Sequence, residues 1–171
     1  MVSLKTLKKE AEKKLGKNIV FGEGPSNAKV VIVGEGPGKT ELKLKRPFVG
    51  RAGKFLDEVL KHNKIGRKKI YITSVLKNLP KKITTKEIEK NKQFLLEQIK
   101  LIKPKVIILF GNLALKTVLN LKPITKYHGR IIKKENIICM PTFHPAAAMR
   151  FPKIKKKFKK DMKKIAKIIS S

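Results

Sequence analysis

The stretch KVVIVGEGPGKT, from Lys29 to Thr40, decides the fold class. Its first half is a short, β-branched apolar run that ends in glycine, which is typical of a strand buried on both faces of a parallel sheet. Its second half ends like a phosphate-binding loop. That motif requires a glycine where Val33 stands, and Pro37 lacks the backbone N–H that phosphate would need. The glycine-rich loop therefore serves another purpose, and an NTPase is disfavoured.

Three further segments have the same buried-strand pattern: Ile70–Leu76, Val106–Gly111 and Ile137–Pro141. Helical periodicity marks four others: Phe55–Ile65, Thr85–Ile102, Ala114–Leu121 and the lysine-rich end of the chain, striped by Ile154, Phe158, Met162, Ile165 and Ile169. Strands that alternate with helices predict βαβ units. We therefore expect an α/β fold, a three-layer α/β/α sandwich around a central four-stranded parallel sheet, as one domain over residues 1–171.

The loops that follow the strands are where a ligand site is expected, since open α/β sheets bind ligands beyond the carboxyl ends of their strands. Four loops should meet at that edge. They span residues 34–53, 74–82, 111–112 and 142–150.

The net charge indicates a polyanionic partner. The chain has 43 Lys and Arg against 12 Asp and Glu, a formal net charge of +31. Such an excess is typical of nucleic-acid binding and, less often, of an anionic membrane. It is steepest from Lys153 to Lys167, although a solvated helix face and an AT-rich coding sequence are open alternatives for part of it.

The single cysteine, Cys139, excludes a disulfide framework and a cysteine-rich metal cluster within this chain. The first ten residues lack the apolar run of a secretion signal, and no segment is apolar enough to span a bilayer. We expect a monomeric cytoplasmic protein, associated with the nucleoid and not with a membrane.

Five motifs in order resemble the uracil-DNA glycosylase superfamily, and most closely its family 4, the thermostable bacterial and archaeal branch. They are GEGPG, RPFVGRAG, ITSVLKNLP, IKPKVIILFG and TFHPAAAMR, and the resemblance runs from about Phe21 to the end. It implies a DNA-repair enzyme that flips uracil out of DNA and hydrolyses its N-glycosidic bond, leaving an abasic site. Two alternatives stay open: a relative that binds DNA or flipped bases without cleaving, and a glycosylase for other deaminated bases.

The resemblance also assigns roles to residues around the base. Phe48 would stack on uracil, and His144 would donate a hydrogen bond to uracil O2. Glu35 would orient water or stabilise the developing sugar cation. Glu41 is a second catalytic candidate, with a helix-capping or solvated acid as the alternative. The remaining base-binding positions are Gly34, Gly36 and Ser74.

Further residues would bind DNA. Arg46 and Arg51 would contact phosphates, as would the lysines at the end of the chain. The loop Ala146–Arg150 would enter the minor groove as a wedge, with Met149 or Arg150 at its tip. His62 and His128 have no such context and are expected to be surface residues.

Two departures from the family pattern change what is expected. The family holds an iron–sulfur cluster on four cysteines, but Met1–Phe21 has none, and two other ligand positions correspond to Asn78 and Asn91. Because clusters need thiolate ligands, we expect no cluster, metal or other cofactor. Ser74 stands where the family has a base-reading asparagine, which weakens the expected selectivity for uracil.

Overall fold

The structure is a computed structural model, and it describes residues 2–171. Five strands form one sheet: β1 (Val30–Gly34), β2 (Tyr71–Ser74), β3 (Val106–Phe110), β4 (Ile132–Lys134) and β5 (Ile137–Thr142). The α-helices are α1 (Leu4–Leu15), α2 (Lys39–Leu44), α3 (Arg51–His62), α4 (Thr85–Ile102), α5 (Gly111–Leu119), α6 (Ile124–Tyr127), α7 (Pro145–Arg150) and α8 (Pro152–Ser170). A 3₁₀ turn covers Arg67–Lys69.

The strand order is β2-β1-β3-β5-β4, and the first four strands of that order are parallel. The predicted α/β fold with helices flanking a parallel sheet is confirmed. The strand count is corrected from four to five, because β4 adds to the edge and runs antiparallel to β5. β4 has three residues, two of them exposed lysines, so it carries no apolar pattern that could reveal it.

The core lies on both faces of the sheet, because β1, β2 and β3 are buried at every position. α8 buries Phe158, Met162 and Ile165 in this core, and these residues lie on the apolar face that the periodicity of the sequence predicted. Helices α3, α7 and α8 pack on one another. Within residues 2–171 no helix is long and apolar enough to cross a membrane.

Helix α1 was not predicted from the sequence. The Ser3 hydroxyl caps it by accepting a hydrogen bond from the Thr6 N–H at 3.2 Å. Leu7 and Ala11 are buried in a second apolar cluster that includes Phe94 of α4. The N-terminal segment is therefore attached to the domain mainly through α4.

The sheet topology sets the place of the site. From β1 the chain passes to β2 on one side and then crosses to β3 on the other side. Such a reversal opens a crevice at the carboxyl end of the strands. Gly34 of β1 lies there, in register with Ser74 of β2.

Candidate active site

A small cavity of about 190 Å³ lies at the carboxyl ends of the strands. Its lining includes Gly36, Glu41, Phe48, Gly53, Ser74 and His144, which come from four separate parts of the sequence. The volume is well below the roughly 300–1,000 Å³ of pockets for drug-sized ligands. The cavity therefore suits a single base rather than a nucleotide triphosphate.

Phe48 is held in the cavity wall by an unusual backbone conformation. Its φ angle is +48°, and a Cβ atom on Gly53 would overlap its carbonyl carbon, so α3 can approach this loop only with a glycine there. Arg67 donates to the carbonyls of Phe48 at 2.8 Å and Pro47 at 2.6 Å. Sequence reasoning missed Arg67, because no local spacing connects it to a loop 19 residues earlier.

His144 lies against Phe48, with ring centroids 5.6 Å apart and planes 29° apart. Its Nδ1 accepts a hydrogen bond from the backbone N–H of Ala146 at 3.1 Å. Burial lowers the pKa of His144 to about 4, so the ring is neutral near pH 7. A neutral imidazole that accepts at Nδ1 carries its proton on Nε2. That Nε2 lies 3.8 Å from where a Cβ on Gly34 would be, so the donor stands over the end of β1.

The two acidic candidates occupy different environments. Glu41 accepts hydrogen bonds from the backbone N–H groups of Gly38 at 3.1 Å, Val49 at 2.9 Å and Gly50 at 2.5 Å. Its carboxylate thereby joins the glycine-rich loop to the Phe48 loop, which favours a structural role. Glu35 directly follows β1 and is exposed, and it is not among the residues that line the cavity, although its neighbour Gly36 is.

Ser74 lines the cavity from β2, and a buried lysine lies behind it. Lys77 is fully buried, and its Nζ donates to Thr73 Oγ1, the Ser74 carbonyl and Gln98 Oε1, each at 2.6 Å. Burial lowers the pKa of Lys77 well below its usual value. In a chain so rich in exposed lysine, the sequence offered no signal that this one is internal.

The positions expected to correspond to cluster ligands do not fit an iron–sulfur cluster. Asn91 Nδ2 donates to Asn78 Oδ1 at 3.2 Å, and Asn91 Oδ1 accepts from the Lys77 N–H at 2.7 Å. Neutral amides cannot replace thiolates, and these two are engaged with each other and with the backbone. Among residues 2–171 no group of three or more His, Cys, Asp or Glu side chains could hold a metal ion. The absence of a cofactor stays a prediction.

The predicted wedge is a helix rather than a loop, because His144 caps α7 and Pro145 begins it. Ala146 and Arg150 are exposed on it, and Met149 is half-buried. Phe151, which directly follows α7 and was missed, is 52% exposed although the other phenylalanines are buried or half-buried. Phe151 is exposed because it lies at the junction between α7 and α8, and the sequence does not show the position of that junction.

Two other sequence predictions are modified by the structure. Arg46 is exposed, but its Nε lies 2.6 Å from Glu23 Oε1, so part of its charge is neutralised, whereas Arg51 is exposed at the start of α3. The expectation that His128 is a surface residue is wrong. Its Nδ1 lies 2.8 Å from Asp161 Oδ2, and its ring packs on Phe143, because α8 covers this part of the sheet. His62 is exposed, as expected.

Comparisons with known proteins agree with this geometry. The family model for the uracil DNA glycosylase superfamily matches residues 21–167. A type-4 uracil-DNA glycosylase of Thermotoga maritima is 42% identical over 78% of this chain and 72% of its own length. The protein of the same name from Sulfurisphaera tokodaii is 38% identical over 86% of this chain and 73% of its own length. The one from Archaeoglobus fulgidus is 34% identical over 88% of this chain and 82% of its own length.

Proposed function

The chain belongs to the uracil-DNA glycosylase superfamily, and on that premise we propose that it removes uracil from DNA by hydrolysing the N-glycosidic bond, which leaves an abasic site. The observation that carries the proposal is His144: a neutral imidazole with its donor nitrogen over a base-sized cavity, beside Phe48. The relatives named type-4 uracil-DNA glycosylase support uracil as the base.

Uracil leaves its sugar as an anion, so the enzyme must stabilise negative charge on the base. The base must first leave the stack and enter the cavity. We propose that it stacks on Phe48 and that His144 Nε2–H donates to its O2. A donor fixed before the reaction stabilises charge that develops there at little cost in reorganisation. The Ala146 N–H bond to Nδ1 supplies that fixation.

Water must then attack the sugar carbon. Of the two acidic candidates, we assign the positioning of this water to Glu35, since Glu41 is occupied by three backbone N–H groups. Gly34 and Gly36 allow Phe48 and Leu76 to pack closely against the glycine-rich loop, because a Cβ on Gly34 would lie 2.7 Å from the Phe48 ring and one on Gly36 3.0 Å from Leu76 Cβ. Glu41 is assigned to holding the two loops together.

DNA itself is proposed to lie across the carboxyl edge of the sheet. Arg51 and the exposed lysines of α8 would bind phosphates, with Arg46 contributing less because of its ion pair with Glu23. Arg150, Met149 and Phe151 stand at the end of the helix that begins beside His144. An exposed aromatic side chain there suits insertion between base steps. We further propose that the chain acts as one monomeric domain, without a cofactor, at the nucleoid.

The test is single-turnover release of free uracil from a uracil-containing oligonucleotide by the purified protein in the presence of a chelator. Release is expected, with no iron bound and no visible absorption of a cluster. Tight binding of the oligonucleotide without release of base would instead favour the non-cleaving alternative. Release that depends on added metal would contradict the cofactor-free proposal.

A further inference from the structure

We propose that Asp161 and His128 are positioning residues for uracil release, because together they hold the three residues that lead into His144. This inference rests on the proposed function and adds to it two side chains that do not line the cavity. Asp161 lies in the middle of α8, and His128 directly follows α6. They act through the end of β5 and through Phe143, the residue that joins this strand to His144.

The centre of the arrangement is the carboxylate of Asp161, which is only 6% exposed. The Thr142 hydroxyl donates to its Oδ2 at 2.8 Å, and His128 Nδ1 lies 2.8 Å from the same oxygen. An ionised carboxylate only accepts hydrogen bonds, so Nδ1 carries a proton there. Because a buried carboxylate is costly without donors around it, these two bonds hold the three side chains in one geometry.

The loop after α6 adds a contact one residue earlier in β5. The Gly129 N–H donates to the Pro141 carbonyl at 2.8 Å. Gly129 has a φ angle of +75°, and a Cβ atom on it would lie 2.6 Å from Asp161 Oδ1, so the loop can lie this close to the carboxylate only with a glycine there. Lys164 Nζ donates to the Gly129 carbonyl at 2.6 Å. The loop is therefore fixed both to β5 and to α8.

The next two residues are held by the side chains of Asp161 and His128. Thr142, which is fully buried, donates to Asp161. The Phe143 ring packs on the His128 ring, with centroids 4.6 Å apart. Contacts at three successive residues define the direction in which the chain leaves β5. His144 is the next residue, so the place of its ring in the cavity wall depends on them.

A donor that stabilises developing charge is effective only while it stays aligned with the base. The Ala146 N–H fixes the ring of His144 from the side of α7, and the contacts of Asp161 and His128 fix its backbone from the side of β5. A misplacement of about 1 Å, caused by a substitution far from the chemistry, can cost about a hundredfold in rate. Substitutions here should therefore slow release of the base without weakening the binding of DNA.

The first test removes one hydroxyl and then restores it. Thr142→Val keeps the shape of the side chain but has no donor for Asp161, whereas Thr142→Ser keeps the donor. In single-turnover assays at saturating enzyme, Thr142→Val should release uracil at least about tenfold more slowly than the wild type, and Thr142→Ser should stay within about threefold of it. Affinity for DNA without uracil should change little in either variant.

Loss of stability alone is controlled by Leu7→Ala, since Leu7 is buried in the second apolar cluster and does not line the cavity. This variant should be destabilised in urea but should keep the wild-type rate of release. A Thr142→Val protein that is no slower than Leu7→Ala overturns the inference.

A double-mutant cycle tests whether Thr142 acts through His144. If it does, Thr142→Val should cost little more in a His144→Ala protein, so the two losses are not additive. Additive losses overturn the inference. His128→Phe is a second variant, which keeps a ring against Phe143 but loses the bond to Asp161, at a side chain that is partly exposed and tolerant of change. It should also slow release, and the inference fails if the folded His128→Phe protein works at the wild-type rate.

A measurement without substrate separates this inference from the proposed function. The chain has three histidines, so the nitrogen NMR signals of the His144 ring are identified by their loss in His144→Ala. In the wild type they should show a proton on Nε2 alone, and in Thr142→Val they should move toward the average of the two tautomers. Unchanged His144 signals in that variant overturn the inference. Failure of the wild type to release uracil overturns the proposed function instead.

Discussion

The backbone N–H of Ala146 donates to His144 Nδ1 at 3.1 Å, and this one contact assigns the imidazole proton to Nε2. The residue that presents the base-facing donor is thus the residue that caps α7. The orientation of the donor and the start of the helix have a common cause. Several measurable properties depend on it.

Replacing His144 by Ala should slow uracil release by about a hundredfold or more, the scale for loss of one fixed donor to a developing anion. Affinity for DNA should change little, because the ring faces the base rather than phosphates. Single-turnover kinetics and an equilibrium binding titration measure the two effects. Equal rates for variant and wild type would show that His144 only caps α7.

The stability of the fold should depend on pH through His144. Its pKa is lowered from 6.5 to about 4, so the unfolded chain takes up a proton in this range before the folded protein does. The stabilising contribution of the neutral ring is complete above about pH 6.5 and is lost as the pH falls toward 4. The total loss is about 3 kcal/mol at most. Urea unfolding across this window measures it, and His144→Gln should flatten the dependence; a parallel curve for the variant would contradict the assignment.

Replacing Gly34 by Ala should impair the site more than the fold. The new Cβ would lie 2.7 Å from Cε2 and Cζ of Phe48, so the ring that stacks the base must shift. We expect uracil release at least about tenfold slower, with melting temperature reduced by a few degrees. Gly66→Ala is the matched control, because its Cβ would meet only the Lys69 side chain at 3.6 Å. If both variants behave alike, the contact with Phe48 does not matter for function.

Affinity for DNA should fall steeply with salt, because lysines that bind phosphates release condensed counterions. Neutralising Lys156, Lys159, Lys160 and Lys163 on α8 should reduce the log–log slope by about 0.9 for each lysine that contacts a phosphate. A matched set of four exposed lysines lies at the opposite edge of the sheet, at Lys100, Lys103, Lys105 and Lys133. An equal change of slope in both sets would mean that the α8 face has no special contact with DNA.

Replacing Asn91 by Ala should destabilise the protein by about 1–3 kcal/mol, since the buried N–H of Lys77 would lose its acceptor. The free energy of unfolding in urea measures this. Asn136→Ala, at an exposed position, serves as the control and should have little effect. Wild-type stability in the Asn91 variant would show that water or another group replaces the amide.

Much of the site could be predicted from the sequence, because strand ends of a parallel sheet converge. Phe48, Ser74 and His144 line one cavity as that argument required. The capping bond from Gly38 to Glu41 was among the expected alternatives. The bonds of Glu41 to the Phe48 loop and of Lys77 to Gln98 could not be predicted, because contacts between distant parts of the sequence give no periodic signal.

The missed secondary structure has an equally physical cause. β4 and α6 contain three and four residues, too few to show a period, and both form because longer neighbours pack beside them. The wedge was expected to be a loop, although His144 and Pro145 form a helix start. A helix start is set by the side chain that caps it, and the cap is recognised only when the backbone N–H that it accepts from is known. Here that N–H belongs to Ala146.

The hydrogen bond between Asn78 and Asn91 has a consequence for how the protein meets oxidants. Amides neither lose electrons to peroxide nor exchange iron, so this junction does not depend on reducing conditions or on iron supply. The one thiol in the chain, Cys139, is buried in β5, and burial raises its pKa to about 11. Little of it is thiolate, the reactive form, near neutral pH. Neither this junction nor the buried thiol therefore offers an oxidant a reactive thiolate.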